Sequence, residues 1–150
     1  VTKLEAPVTP LISTIDYGPL GVCQLPRTWL KCLLHAQGAL HPEYPRLRPE
    51  YGLDWEVLAR LHVDPNKAVA YVTAERPDYC EFEAWIVAHG EVDQGAVDEW
   101  NEYVRTRVRD QAKIDDISGA VGRQLVTSSG VTLNHVEDWH NAYSSVIAAG

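Results

Sequence analysis

Leu25-Pro26-Arg27-Thr28-Trp29-Leu30-Lys31-Cys32-Leu33-Leu34-His35 decides the fold class of this 150-residue chain. Pro26 stands where the first helical turn has no N–H to lose, so a helix is expected from about Pro26 to Gln37, with Gly38 at its C-terminal turn. Trp29, Cys32, Leu33 and Ala36 recur at the spacing of a core-facing stripe. Arg27, Lys31 and His35 follow one another at i, i+4 and i+8 along another side. In a chain of formal net charge −8, such a row calls for acidic partners inside the fold or for an anionic ligand.

Outward from this segment the chain continues to read as helix. Residues 1–22 carry Pro7, Pro10 and Pro19 among β-branched residues, the pattern of an extended arm that wraps the body. Residues 39–52 hold Pro42, Pro45 and Pro49 with Tyr44 and Tyr51, a long stiff loop of the kind that carries function. Asp54 reads as the cap of a short helix bearing Trp55, Leu58 and Leu61. Asp64-Pro65 opens a third helix through about Ala74. Asp78 with Glu81 gives a capping box for a fourth, which ends at Gly90. Asp93 caps a fifth whose Val97, Trp100, Val104 and Val108 keep the helical period. Residues 113–124 are ambiguous because Gly119 and Gly122 interrupt them. A last helix is expected from Asn134, with Glu137 in the capping-box position, to Ala148. Val121–Val131 is the only strand candidate. The expected fold is therefore mainly α: a compact single-domain helical bundle of five to six helices over 1–150, with 1–22 as an extended arm and 111–150 as a C-terminal helical extension.

The totals narrow the function classes. A length of 150 residues suffices for a real core without metals or disulfides, and 45% hydrophobic with 23% charged residues is ordinary for a globular protein. The acidic balance, with pI near 5.1, argues against non-specific nucleic-acid binding. No stretch approaches the length of a membrane span, and Val1–Leu20 lacks a signal-peptide pattern. Cys23, Cys32 and Cys80 form no C-x-x-C pair, which suits a reducing, cytoplasmic location. Neither a G-x-G-x-x-G, a Walker loop, a G-x-S-x-G elbow nor an H-E-x-x-H occurs, so no cofactor is expected.

Two groupings carry chemistry on paper. Arg27 and Lys31 suit an oxygen anion, and Tyr44 or His35 suits proton transfer. The plainer alternative pairs Arg27 and Lys31 with Glu81, Glu83, Asp98 or Glu99 on neighbouring helices. Trp29, Trp85 and Trp100, with Asn101, would wall an apolar pocket or else simply pack the core. His35, His41 and Glu43, like His135 and His140, resemble fragments of metal sites; the Gly38 helix stop would let the first set converge but nothing fixes its geometry, and the second pair stands about 140° apart around a helix, so no metal is expected.

Taken in order, Leu25-Pro26-Arg27-x3-Lys31-Cys32, Gly38, Tyr44, Gly52-Leu53-Asp54, Glu83-Ala84-Trp85-Ile86 and Trp100-Asn101 resemble a family of small, mostly bacterial proteins: the domain-of-unknown-function family numbered 5069. The resemblance covers roughly residues 18–110. It departs from the family pattern at Leu30 and Leu33, where an acidic and a further basic residue usually flank the Lys-Cys pair. It implies a helical fold and assigns no reaction.

From the residues, the first functional expectation is a cofactor-independent enzyme of lyase, isomerase or hydrolase type acting on a small, partly apolar, oxygen-containing molecule. Arg27, Lys31, His35 and Tyr44 would be catalytic, and Trp29, Trp85, Trp100 and Asn101 would bind substrate. The alternative is a non-catalytic binding or assembly module, with a possible homodimer through Trp/Tyr-rich surfaces. On the catalytic reading, Arg27→Ala removes turnover and leaves the melting temperature within a few degrees.

Overall fold

The computed structural model describes residues 7–44 and 52–149; expectations placed on 1–6, 45–51 and 150, Tyr51 among them, lie outside the described residues. The described residues form seven α-helices: α1 (Leu25–Ala36), α2 (Leu53–Arg60), α3 (Pro65–Glu75), α4 (Tyr79–His89), α5 (Gln94–Thr106), α6 (Gln111–Val121) and α7 (Gly130–Ala149). The expected mainly α class is correct, and the count of five to six is one short. The additional helix is α6, which fills the stretch made ambiguous by two glycines. Asp110 caps it by accepting the Lys113 N–H, Gly119 sits inside it, and Gly122 ends it at φ +74°. A left-handed C-terminal residue favours glycine. Gly122 is thus a stop signal rather than a break in the pattern.

Other helix ends follow side-chain capping, each cap contributing about 1 kcal/mol. The Asp64 carboxylate accepts the Asn66 N–H, Asp93 accepts that of Ala96, and Asp78 with Glu81 forms the reciprocal box. Two expected caps are corrected. Gly52, not Asp54, precedes α2; Asp54 lies in the first turn and sends its carboxylate across to α1. α7 starts at Gly130 rather than Asn134, where the Ser129 hydroxyl accepts the Thr132 N–H at 3.3 Å. The strand candidate is corrected as well. Val121 closes α6 and Gly130 opens α7, leaving Ser129 as the bridge partner of Val108 in an isolated antiparallel contact. Val108 itself lies past the end of α5 and is exposed.

The main core joins α1 to α5 through Leu25, Val57, Leu58, Phe82, Ile86, Val97, Trp100 and Val104. A smaller cluster of Ile114, Ile117 and Leu133 joins α6 to α7. Trp29, Cys32 and Leu33 pack at the edge of the main core, partly buried. The more deeply buried α1 residues are Leu25, Arg27, Thr28 and Leu34, so α1 is covered around Arg27 too. The arm and α7 supply that cover. Val8 pairs with the 39–41 backbone through Val8 N–H to Ala39 O at 2.7 Å and His41 N–H to Val8 O at 3.0 Å. Ser13 Oγ lies 2.7 Å from His135 Nε2 on α7.

Trp100 and Asn101 of α5 hold the entrance to α1. The indole N–H donates to Cys23 O at 2.9 Å, Asn101 Oδ1 accepts the Cys23 N–H at 2.9 Å, and Asn101 Nδ2 donates to Gly21 O at 2.7 Å. These bonds stabilise Gln24 at φ +75°, a conformation strained for a residue with a side chain. No described helix is long and apolar enough to cross a membrane.

Close approach rather than turn chemistry explains Gly90. A Cβ there would lie 2.3 Å from Leu61 O and 3.1 Å from Ile86 O. Gly90→Ala is expected to lower the unfolding free energy by about 1–3 kcal/mol through this overlap with backbone. Urea denaturation reads it; an unchanged midpoint contradicts the packing argument.

Candidate functional site

Four residues apart on α1, Arg27 and Lys31 each meet an aspartate. Arg27 Nη1 donates to Asp138 Oδ2 at 2.6 Å and Nη2 to Asp138 Oδ1 at 3.0 Å, with Asp138 on α7. Arg27 Nη1 also donates to Pro10 O at 3.0 Å and Ile12 O at 2.9 Å, which ties down the arm. Both side chains are almost wholly enclosed, at 5% and 3% residue exposure for Arg27 and Asp138. Tyr44 O–H donates to Asp138 Oδ1 at 2.6 Å and accepts from Asn141 Nδ2 at 3.0 Å. A second node lies beside the first. Lys31 Nζ pairs with Asp54 Oδ2, while Asp54 Oδ1 accepts from Thr28 Oγ1 at 2.6 Å and from Gln24 Nε2 at 2.8 Å.

The nodes set the charge states. Burial pulls the Arg27 guanidinium down, but the hydrogen bond and charge of Asp138, with the charge of Asp54, hold it above its ordinary value. Burial works to raise the Asp54 carboxyl, and the charge and hydrogen bond of Lys31, with the Thr28 hydroxyl, outweigh it and hold the carboxyl below the usual carboxylate range. Burial, followed by the hydrogen bond to Asp138, pushes the Tyr44 phenol far up, so it stays protonated. These directions describe locked ion pairs.

A cleft of about 540 Å³ opens beside both nodes, a size suited to a small metabolite. Its lining draws Thr14, Gln24, Arg27, Lys31, Glu43, Tyr44, Asp54 and Glu56 from the arm, α1, α2 and the residues between them, and Arg107, Arg109, Lys113, Asp116, Asn134 and Glu137 from the later part of the chain. Lys113 pairs with Glu137 at 3.5 Å. Arg107 and Arg109 come from the segment between α5 and α6. The Arg109 N–H donates to Ser128 O and the Gly130 N–H to Arg107 O, both at 2.8 Å. In an extended stretch, side chains alternate, so both arginines share the cleft side while Val108 faces solvent. Burial, then the neighbouring charge of Arg109, holds the Arg107 guanidinium below its ordinary value, against the weaker opposing effects of Tyr103 and Glu56. Among the described residues neither arginine forms an ion pair. Thr14 Oγ1 and Gln24 Oε1 are buried without a hydrogen-bond partner, and both residues line the cleft. A buried acceptor left unpaired costs about 1–3 kcal/mol, so two of them at one site call for an explanation.

Of the expected catalytic quartet, the fold brings Arg27, Lys31 and Tyr44 together at the cleft and leaves His35 outside it, exposed. The reason is helical geometry: each four-residue step precesses by about 40°, so His35 has turned about 80° from Arg27. The expected carboxylate partners Glu81, Glu83, Asp98 and Glu99 are corrected to Asp138 and Asp54. Glu83 instead accepts from the Leu20 N–H and from Tyr79 O–H at 2.7 Å. The expected aromatic walls stand elsewhere. Trp29 Nε1 donates to Pro77 O at 3.0 Å, Trp85 stacks on Tyr71 and His89, Trp100 is in the core, and Asn101 clasps the entrance of α1. None of the four lines the cleft.

Sequence reading missed Asp138, Asn141, Arg107 and Arg109. Their signals exist. Asn134, Asp138 and Asn141 stand at i, i+4 and i+7, a polar stripe at core spacing, and Arg107-Val108-Arg109 alternates as an extended segment does. Among the described residues no group of three or more His, Cys, Asp or Glu is arranged to hold a metal ion. Comparison with family models, curated proteins and solved structures finds no match to this chain.

Proposed function

We propose that this protein binds a small polar molecule in the cleft between α1–α2 and α6–α7, with the two buried ion pairs as the frame. The observation that carries this reading is the convergence, on one cleft, of two unpaired arginines and two residues with unpartnered buried acceptors. Arg27 and Tyr44 serve the frame, because their polar atoms are already engaged by Asp138, Asn141 and the arm. Trp-lined apolar binding is replaced by polar binding in this reading.

Catalysis without a cofactor, of lyase, isomerase or hydrolase type, is a second reading, favoured by the Lys31–Asp54 pair at the cleft wall. There Lys31 would polarise a ligand oxygen. Kinship with the family numbered 5069 is proposed on the residues Leu25-Pro26-Arg27, Lys31-Cys32 and Trp100-Asn101. For the homodimer expected from sequence, α7 offers exposed Trp139, Tyr143, Val146 and Ile147, and sedimentation across a concentration series reads it. A monomer at every concentration removes the dimer.

The binding reading is tested by an NMR screen of small polar molecules against the full chain. Hits are expected to move the amide signals of Thr14, Gln24, Lys31 and Asn134 together. Ala120→Trp, at an exposed position on the cleft wall, is expected to abolish those shifts with no loss of melting temperature. Hits that map elsewhere, or that survive Ala120→Trp, overturn it.

A further inference from the structure

The half-buried Arg107 guanidinium has no ion-pair partner among the described residues, and the more distant charge of Glu56, which lines the same cleft, is outweighed by burial and by Arg109. The guanidinium lies beside Arg109, which has no carboxylate within ion-pair distance among the described residues either. Burying like charges side by side is unfavourable, and an anion between them reverses the sign of that interaction. The backbone that presents them is fixed at both ends by the bonds to Ser128 and Gly130. It is also held tightly, because a Cβ at Gly130 would lie 3.1 Å from Arg107 O. The two forks therefore reach the cleft from a rigid segment, the condition for selective oxyanion recognition. Lys113 lies on the same side, already drawn to Glu137. The anion the pair can neutralise carries two charges. A single carboxylate balances one arginine; a phosphate monoester at neutral pH balances both.

Resting on the binding reading above, we propose that the ligand of this cleft is a phosphate monoester of a small hydroxylated molecule, its phosphate held between Arg107 and Arg109. The hydroxylated part lies toward Lys31 and Asp54, where the cleft is polar and the volume of about 540 Å³ leaves room for it.

The test uses the full chain with four probes: glycerol 3-phosphate, inorganic phosphate, glycolate and glycerol, each followed by calorimetry and NMR. Saturable binding is expected for glycerol 3-phosphate, weaker binding for inorganic phosphate, and weaker still for glycolate and glycerol. Arg107→Gln and Arg109→Gln are each expected to weaken glycerol 3-phosphate at least roughly tenfold, the loss of a charge-assisted hydrogen bond. Lys67→Gln, an exposed substitution on α3, is expected to change nothing. Arg107→Lys keeps the charge and the fold but loses the fork, and is expected to fall between wild type and Arg107→Gln. Equal binding by wild type and both glutamine variants overturns the proposal, as does glycolate binding as tightly as the phosphate ester. If glycerol or another uncharged molecule fills the cleft and Ala120→Trp abolishes that binding, the phosphate assignment fails while the binding reading stands. If no probe or screened molecule reaches the cleft, both fail.

Discussion

Asp138→Ala is expected to lower the unfolding free energy by about 3–5 kcal/mol, the usual cost of removing one partner of a buried ion pair. For a chain of this size that corresponds to a fall of roughly 6–20 °C in melting temperature. The cause is what remains behind. Arg27, at 5% exposure, keeps its charge without a counter-ion, and Tyr44 O–H loses its acceptor. Arg27→Ala is expected to be similarly costly, since it strands Asp138 and frees Pro10 O and Ile12 O. This replaces the sequence-based expectation that Arg27→Ala leaves the melting temperature within a few degrees. Arg27→Met with Asp138→Leu removes both charges together and is expected to cost less than the sum of Arg27→Met and Asp138→Leu made singly, because no unpaired ion is left. Urea denaturation of the four proteins gives the coupling; strict additivity would contradict a direct pair.

Asp54→Ala is expected to be the second large loss, again about 3–5 kcal/mol. It leaves the Lys31 ammonium, the Thr28 hydroxyl and the Gln24 amide without their shared acceptor. The same carboxylate contributes an acid-sensitive part of the stability. Its folded value lies below the usual carboxylate range, where Lys31 and Thr28 outweigh burial. The contribution is therefore present above the unfolded value of about 3.9 and is lost as pH falls through the lower folded value. Asp54→Asn removes that part of the acid dependence, so its stability is expected to fall less than wild type between about pH 5 and pH 2. Parallel pH profiles for the two proteins would refute the assignment.

The two nodes explain why a row of cations was legible and its meaning was not. Arg27 and Lys31 stand four apart, so their shared side of a helix follows from the chain order alone. Their partners come from 111 and 23 residues away, and nothing in local pattern selects Asp138 over Glu83 or Asp98. Asp54 shows the ambiguity at one residue. An aspartate near a helix start is a good cap on propensity grounds, yet its carboxylate turns to α1 because Lys31 and Thr28 stand there. Trp100 and Asn101 show it again. Their spacing announced a packed helix, but only the contact with Cys23 and Gly21 shows them bracing the strained entrance of α1.

By itself the amino-acid order determined the helical class, the starts at Pro26, Pro65, Asp78 and Asp93, and the grouping of Arg27 with Lys31. Each of these depends on interactions within a turn or two of chain, which propensity and periodicity encode. The tertiary structure alone decided that α7 packs on α5 and α6, that its Asp138 takes the Arg27 fork, and that Arg107 and Arg109 face a cleft without an ion-pair partner among the described residues. Those outcomes depend on which distant surfaces exclude water together, a property of the assembled core and not of any single window of sequence.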